Sequence, residues 1–429
     1  MSVFSKVFSA SNSPEIAIRR DLHKYPETAF LEYRTASLVA ETLDDLGYAV
    51  RTGKQVMDAS ALVNPPSAEV EAEAVASALA NGGVASWIER MRGGLTAVVG
   101  EKSFGPGPVL AFRFDMDALT LVEADASDHA PRAQGFASTD PERMHGCGHD
   151  GHVAIGLSVA RELAETEALS GTLRFIFQPA EEGGRGAAPI IAAGLLDDVD
   201  YLFVAHLGCF LGSGKVAPDA CDFLHSTKFE VEFRGRSSHA AMAPQDGRNA
   251  LLAGASAATA LHGITRIAGE ETFVNVGKLM AGTTFNIIAD TCEMLVEVRA
   301  QTAEGHAAMI KRAEAVINGA AQMQDVEHSM RIVSQLNGNT NHREALDIVD
   351  RAAGSLPGIE VVDSWPIGGG DDASKMIARV HERGGKAAYF LVGSDITAPH
   401  HAQEFDFDEA SLTTARQVFE NIARLVLGE

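Results

Sequence analysis

One short segment of the sequence places a thiol and an imidazole two positions apart. Side chains at positions i and i+2 share a face in extended backbone, and sulfur with nitrogen suits a borderline-soft divalent cation. The neighbouring glycines permit tight turns around an ion. The alternative is a glycine-rich surface loop with several histidines. The two residues are Cys147 and His149, in the run Met144-His145-Gly146-Cys147-Gly148-His149-Asp150-Gly151-His152.

Composition favours the metal-binding interpretation. Four cysteines in 429 residues are too few and too scattered for a disulfide framework, which indicates a reducing compartment with free thiols. The sequence has no apolar run typical of a signal peptide or a membrane span. The net charge of -23 argues against nucleic acid, since phosphate binding needs clustered Lys and Arg. We therefore expect a cytoplasmic protein whose partners include neither nucleic acid nor membrane.

Periodicity predicts an α/β fold with an insertion. Four short apolar runs alternate with helical patterns, which is typical of an α/β/α sandwich with a largely parallel sheet. Residues 226–338 read instead as a compact α+β module, and residues 53–94 as an insertion before the first core strand. We expect a catalytic domain at 1–225 and 339–429, interrupted by a dimerisation or lid domain at 226–338. The runs cover residues 109–114, 173–177, 201–205 and 387–392.

Residues with metal-binding or acid–base chemistry follow each predicted core strand. Ligands of a parallel sheet lie beyond the carboxyl ends of its strands, so these side chains should meet at one rim. Each has a simpler reading, namely a solvated acidic turn, a core histidine or a surface loop, but their shared placement favours a site for two divalent ions. The residues, in strand order, are Asp115 and Asp117, Glu181 and Glu182, His206, and His400 with His401.

Five segments together resemble the dinuclear-metal amidohydrolase and carboxypeptidase superfamily. The resemblance is closest to the branch that holds hippurate hydrolase and the indole-acetyl-amino-acid hydrolases, and it extends from about residue 15 to about residue 425. The segments are Arg20-Asp21-Leu22-His23 with Pro26-Glu27, Phe114-Asp115-Met116-Asp117-Ala118-Leu119, the run from His145 to His152, Phe177-Gln178-Pro179-Ala180-Glu181-Glu182-Gly183, and Ser238-His239-Ala240-Ala241.

The resemblance implies two divalent metal ions per subunit, Mn²⁺ or Zn²⁺. Sulfur ligation favours zinc, whereas the likeness to the family favours manganese. One ligand comes from the histidine pair. His401 is preferred because its spacing to Phe405 matches the family's His-x-x-x-aromatic ending, and His400 is the alternative. The implied ligands are Cys147, His149, Glu182, His206 and His401.

The resemblance also implies roles for residues that bind no metal. Asp117 would orient a ligand, and His239 would reach a neighbouring subunit's site to stabilise the oxyanion. Asn286 would bind the substrate carboxylate, and Gly369 and Arg299 are further candidates for substrate binding. The sequence departs from the family at Asp371, where many relatives carry Glu, and after Arg299, where Ala300 and Gln301 follow.

The chemistry assigns the adjacent glutamates different tasks. Amide cleavage requires a proton to move from the attacking water to the leaving amine, and one carboxylate can serve as base and then acid. Glu182 must stay ionised on the metal, so Glu181 is the general base. Neighbouring side chains point apart in extended backbone, so the turn must be irregular, with Gly183 and Gly184 supplying the freedom.

The expected activity is hydrolysis of an N-acyl or N-aroyl amino acid. The resemblance makes p-aminobenzoyl-glutamate the leading substrate and indole-acetyl-aspartate the alternative. We expect a homodimer, possibly with a second, homologous chain. The competing hypothesis, an accessory role within a hetero-oligomeric hydrolase, is opposed by the intact Glu181 and the full ligand set.

Overall fold

The computed structural model describes residues 3–11, 13–166 and 169–428 and separates the chain into two compact units. One unit comprises Met1–Cys221 together with Asn339–Glu429, and the other comprises Asp222–Gly338. The second unit is therefore an insertion into the sequence of the first. Within the described residues, no helix combines the length and apolarity needed to cross a membrane.

The segment that precedes the inserted unit contains both helices and strands. Residues 53–94, which the sequence predicts to be an insertion, contain α4 (Ala68–Ala80) and α5 (Ala85–Ile88), and the Ser67 hydroxyl caps α4 by accepting the Val70 N–H. The helices are α1 (Val3–Ala10), α2 (Pro14–Lys24), α3 (Tyr33–Asp45), α4 (Ala68–Ala80), α5 (Ala85–Ile88), α6 (Ala130–Ala133), α7 (His149–Ala164) and α8 (Ala187–Ala192). The strands are β1 (Ala49–Thr52), β2 (Val98–Ser103), β3 (Val109–Asp115), β4 (Thr172–Gln178), β5 (Tyr201–Leu207), β6 (Lys215–Ala217) and β7 (Asp219–Cys221).

The inserted unit is an antiparallel sheet with two helices. Its strand order is β11-β8-β10-β9, and buried residues alternate along β8 and β10 because one face of the sheet packs against α9 and α10. The elements are β8 (His225–Arg234), α9 (Ala250–His262), β9 (Thr272–Ala281), β10 (Thr291–Ala300), α10 (Ala303–Gln324) and β11 (Glu327–Leu336).

The chain then returns to the first unit and completes its sheet. Strand β14 lies beside β5 in parallel, and β13 pairs with β7 in a separate two-stranded sheet. The elements are α11 (Arg343–Gly354), β12 (Glu360–Val361), β13 (Ser364–Pro366), α12 (Ala373–Glu382), β14 (Lys386–Val392) and α13 (Ala410–Leu427).

The large sheet has the order β1-β2-β4-β3-β5-β14-β6-β12. Its four central strands, β4, β3, β5 and β14, are mutually parallel, and they are the four apolar runs of the sequence. The outer pairs β1–β2, β2–β4 and β14–β6 are antiparallel. The central strands are almost wholly buried because helices cover the sheet, with α7 and α13 against β3 and α12 against β5 and β14. The predicted fold class, an α/β/α sandwich with an inserted α+β domain, is confirmed.

Candidate active site

The carboxyl ends of the central strands gather the residues that the sequence singled out in the first unit. Asp117 lies two residues beyond β3, and Glu181 and Glu182 follow β4. His206 lies inside β5, one residue from its end, and not after it as predicted. Cys147 precedes α7, whose entry turn is made by Gly148 in a left-handed conformation (φ 90°).

The thiol of Cys147 is the centre of the cluster. Its Sγ lies 3.5 Å from His206 Nε2 and 3.6 Å from His400 Nδ1. Ligand atoms of Cys147, His149 and Glu182 also lie within 4.8 Å of one another. Burial, followed by the nearby Glu182 carboxylate, raises the pKa of the Cys147 thiol well above its ordinary value. A cation would reverse this effect, because a coordinating thiol is deprotonated.

Two histidines of this cluster bind a backbone carbonyl through Nδ1, which leaves Nε2 of each ring available to a ligand. His149 Nδ1 donates to the backbone oxygen of Asp117 at 2.9 Å, and His206 Nδ1 donates to the backbone oxygen of Leu207 at 2.8 Å. A carbonyl only accepts, so in the neutral ring each Nε2 is left with its lone pair. Burial, and then His152, lowers the pKa of His206 well below its ordinary value, which keeps that ring neutral.

Two buried atoms in the cluster lack a hydrogen-bond partner among the described residues. They are His149 Nε2 and Glu182 Oε1. Buried polar atoms are rarely left unpaired, and a thiolate, imidazoles and a carboxylate form a suitable ligand set for a divalent transition-metal ion. The donor set and these orphaned atoms therefore fit a metal centre.

The histidine pair divides between two environments. His400 contacts Cys147, and its Nε2 accepts the backbone N–H of Cys209 at 3.1 Å. Burial, and then His401, lowers the pKa of His400 to about 4. The His401 side chain is 55% exposed, and its Nε2 lies 3.2 Å from Glu182 Oε2. The sequence favoured His401, whereas the structure brings His400 to the thiol.

His152 has the residue type of a ligand, but both of its ring nitrogens are engaged. Its Nδ1 lies 2.5 Å from Asp115 Oδ1, and its Nε2 accepts the backbone N–H of Leu207 at 3.2 Å. The ring therefore links β3 to β5 beside the cluster. His152 positions the strand ends and has no free lone pair for an ion.

The turn that carries the two glutamates is held by Asp117. Its Oδ1 accepts the Glu181 N–H at 2.9 Å, and its Oδ2 accepts the Glu182 N–H at 3.1 Å. The turn owes its shape to Ala180 (φ 56°) as well as Gly184 (φ 64°), whereas Gly183 is not left-handed. The predicted irregularity is present, but a non-glycine residue supplies part of it.

Acidic groups surround Glu181. Carboxylate oxygens of Glu181, Asp371 and Asp372 lie within 4.8 Å of one another. Burial, followed by Asp371 and Glu182, raises the pKa of Glu181 well above its ordinary value. A carboxylate in this environment binds a proton readily, which suits a group that must collect a proton and then release it.

The buried side chains that bind Asp371 were not predicted from the sequence. Arg113 in β3 is fully buried, and its Nη2 lies 2.9 Å from Asp371 Oδ1, while its Nη1 contacts Asp115 at 2.5 Å. The Tyr389 hydroxyl donates to Asp371 Oδ2 at 2.7 Å. The sequence did contain a signal for these contacts, namely an arginine within a predicted apolar strand, because a buried charge requires partners. Asp371 and Gly369 belong to the same glycine-rich segment, in which Gly368 is left-handed (φ 73°).

The remaining candidates belong to the inserted unit. His239 is exposed, and its Nδ1 accepts the backbone N–H groups of Ala241 and Met242. The exposed Asn286 lies nearby, because its backbone oxygen accepts the Ala240 N–H. Arg299 pairs with Glu297 on its own strand at 3.0 Å. His239 and Asn286 therefore share one ribbon, and Arg299 lies apart from it on β10.

A known protein family covers most of the chain. The model of the family described as "Peptidase family M20/M25/M40" matches residues 111–425, which include the candidate centre. The chain belongs to this family. The resemblance predicted from the sequence is confirmed.

The relatives of this M20 chain include hydrolases of amino-acid conjugates. It is 40% identical over 401 residues to the indole-3-acetyl-aspartic acid hydrolase of Enterobacter agglomerans, with 92% of each chain covered. It is 39% identical over 415 residues to a p-aminobenzoyl-glutamate hydrolase subunit of Escherichia coli K12, which covers 95% of this chain and 94% of the relative. The relatives and the family together identify an amidohydrolase.

Solved structures give the same result. The M20 chain is similar to the aminobenzoyl-glutamate utilization protein of Klebsiella pneumoniae, with a TM-score of 0.81, 34% identity, and coverage of 98% of this chain and 96% of the other. A dinuclear metal binding M20 peptidase of Bacillus subtilis matches with a TM-score of 0.69, 26% identity and 99% coverage of both chains. Membership of this family and the cluster of ligand side chains together indicate that the site uses divalent metal ions.

Proposed function

We propose that this chain hydrolyses the amide bond of an N-acyl or N-aroyl amino acid, with p-aminobenzoyl-glutamate, which gives p-aminobenzoate and glutamate, as the leading substrate. The observation that carries the proposal is the convergence of metal-ligand side chains on Cys147 with Glu181 beside them. The likeness to a p-aminobenzoyl-glutamate hydrolase subunit supports the choice of substrate. Indole-3-acetyl-aspartate is the alternative, supported by the other relative.

The proposed centre holds two divalent ions, Mn²⁺ or Zn²⁺. Its histidine-pair ligand is His400, because that ring contacts Cys147 and is partly buried, whereas His401 is exposed. With Nε2 accepting the Cys209 N–H, a neutral His400 carries its proton on Nδ1. It must therefore turn its ring or release that contact to coordinate. The full proposed set is Cys147, His149, Glu182, His206 and His400, with His401 as the alternative.

The proposed mechanism divides the work between the ions and the carboxylates. When bound, divalent ions polarise the amide carbonyl and a water molecule. Glu181 takes the proton of the attacking water and delivers it to the departing amino-acid nitrogen. Burial and the nearby Asp371 and Asp372 raise the pKa of Glu181, which favours the first transfer. Asp117 holds the turn so that Glu181 and Glu182 keep separate tasks.

The inserted unit would complete the site of a neighbouring subunit in a homodimer. His239 would donate to the developing oxyanion, and Asn286 would bind the substrate carboxylate. Their shared ribbon supports a joint role, and the exposure of both side chains leaves them available. Arg299 is the weakest candidate for the carboxylate pocket, since its guanidinium already pairs with Glu297.

A substrate panel tests the proposal. The purified chain, stripped of metal and reloaded with Mn²⁺ or Zn²⁺, is incubated with p-aminobenzoyl-glutamate, indole-3-acetyl-aspartate and hippurate, and free amino acid is quantified. We expect release of glutamate with at least one metal, and release about 10²- to 10⁴-fold slower by the Glu181→Gln variant. Hydrolysis of indole-3-acetyl-aspartate alone would select the alternative substrate. Metal binding without turnover of any amide would favour an accessory role within a hetero-oligomer.

A further inference from the structure

Ala180, the residue before the two glutamates, has a left-handed backbone. Its φ is 56°, and its side chain is fully buried. This conformation is costly for a residue with a Cβ, so the surrounding structure must stabilise it. The Ala180 carbonyl accepts the N–H groups of Arg185 and Gly186, which closes the turn on one side.

The Ala180 N–H is bound by a distant carboxylate. Glu32 precedes α3, lies 148 residues earlier in the chain and is fully buried. Its Oε1 accepts the Ala180 N–H at 2.9 Å, and its Oε2 accepts the Thr96 hydroxyl at 2.7 Å. Both carboxylate oxygens are therefore committed, and one of them is committed to the backbone of the turn.

Three successive N–H groups of the turn are thus held by two buried carboxylates. Glu32 binds the N–H of Ala180, while Asp117 binds those of Glu181 and Glu182. Burying a carboxyl group is costly, and burial, followed by the nearby Asp117, raises the pKa of Glu32 to about 8. A helix start could be capped by Ser, Thr, Asp or Asn at lower cost. Neither Glu32 oxygen accepts a backbone N–H from the first turn of α3. The N–H groups of Arg34 and Thr35 in that turn donate to Glu27 instead.

We propose that Glu32 is a positioning residue of the hydrolytic site, which fixes Ala180 in its left-handed conformation and thereby sets the directions of Glu181 and Glu182. The inference deepens the proposed function, since it rests on the roles assigned there to the two glutamates. Glu32 touches neither substrate nor metal in this proposal. It acts through one backbone hydrogen bond.

The test compares four variants of the full chain. Glu32→Ala removes the contact, and Glu32→Gln keeps an oxygen that accepts the Ala180 N–H. Glu27→Ala is the matched control, because it removes a neighbouring carboxylate that caps α3 without touching the turn. The double variant Glu32→Ala/Ala180→Gly replaces the strained residue with one that adopts positive φ freely.

The expected results separate positioning from stability. Glu32→Ala should lower kcat at least 10-fold with KM within threefold, raise the metal dissociation constant about 10-fold, and speed amide exchange in the peptide covering residues 178–186. Glu32→Gln and Glu27→Ala should keep kcat within threefold of wild type. The double variant should have a kcat about fivefold higher than that of Glu32→Ala. Glycine removes the free-energy cost of the left-handed conformation, which is about 1 kcal/mol.

Two results would overturn the inference. One is Glu32→Ala with kcat, metal affinity and amide exchange all within twofold of wild type. The other is a loss of kcat in Glu32→Ala that the added Ala180→Gly does not relieve and that Glu27→Ala reproduces. If Glu32→Ala fails to fold, Glu32→Asp, one methylene shorter, takes its place. Failure of the proposed function would appear separately, as a wild-type chain that cleaves no amide, and metal titration and amide exchange would still test Glu32.

Discussion

Asp117 Oδ1 accepts the backbone N–H of Glu181 at 2.9 Å. Its other oxygen accepts the next N–H in the chain, that of Glu182. The sequence suggested that Asp117 orients a metal ligand, and the structure shows that its side chain binds the backbone of the glutamate turn. Its backbone oxygen meanwhile accepts from the imidazole of His149.

Asp117→Asn is expected to weaken metal binding 10- to 100-fold, as do other changes that disturb ligand orientation. An amide presents one oxygen and one NH₂ group, so one of the two backbone N–H groups would face a donor. Calorimetric titration of the metal-free variant measures the effect. Asp128→Asn, at an exposed position, is the control. An unchanged dissociation constant for Asp117→Asn would remove this role.

Glu181→Gln should lower kcat by about 10² to 10⁴, the usual loss when a general acid–base is removed, while metal content stays at the wild-type level. Glu182→Gln should lose metal as well, because its carboxylate is a proposed ligand. Steady-state kinetics with metal analysis on the same samples checks both. Near-normal turnover by fully loaded Glu181→Gln would show that another group moves the proton.

The two histidines of the pair can be separated by mutation. His400→Ala should reduce metal stoichiometry or raise the dissociation constant at least 100-fold, because it removes the ring that contacts Cys147. His401→Ala should change the dissociation constant by less than 10-fold, since its side chain is half exposed and lies beside Glu182. A larger effect of His401→Ala than of His400→Ala would instead favour His401 as the ligand, as the sequence did.

The ion pair between Arg19 and Asp150 makes folding dependent on pH. Arg19 Nε lies 2.9 Å from Asp150 Oδ2, with both side chains fully buried. Burial opposes ionisation of Asp150, but Arg19 and His23 hold its pKa well below the ordinary value. Below about pH 4, the ordinary pKa of the unfolded chain, folding releases a proton from Asp150. The stabilisation is therefore complete above this pH and is lost as the pH falls below it.

Asp150→Asn should therefore lower the free energy of unfolding of the metal-free protein by about 3 kcal/mol at pH 7. The difference from wild type should narrow below about pH 4, where the wild-type carboxyl loses its charge in the unfolded state. Urea unfolding across this range measures it, with exposed Asp128→Asn changing the value by less than about 0.5 kcal/mol. A difference that is constant with pH would mean that the charge of Asp150 contributes nothing.

His239→Ala should lower turnover by about 10²- to 10³-fold, as expected for an oxyanion donor, in a protein that is folded and metal-loaded. Mixing it with Glu181→Gln under conditions of subunit exchange should regenerate activity, because a mixed dimer holds one site with both groups. Exchange is followed by native mass spectrometry of differently tagged chains. Exchange without recovery would place His239 within its own chain's site or outside catalysis.

Much of the site could be predicted from the sequence because two physical rules act locally. Continuous apolar runs form buried strands, and the carboxyl ends of parallel strands meet at one rim. The positions of Asp117, Glu181, Glu182 and His206 relative to those runs therefore predicted their meeting. Cys147 and His149 were found because glycine spacing and residue type are visible in a single segment.

The tertiary structure decided what depends on distant partners. The preference for His400 follows from the path of the loop after β14, which brings that ring to Cys147, and a one-residue difference in spacing carries no such information. Arg113 and Asp371, 258 residues apart, become an ion pair only when β3 and the segment before α12 are packed together. Ala180 is left-handed, against its local preference, and its N–H is bound by Glu32 from 148 residues away, a contact that exists only in the folded protein.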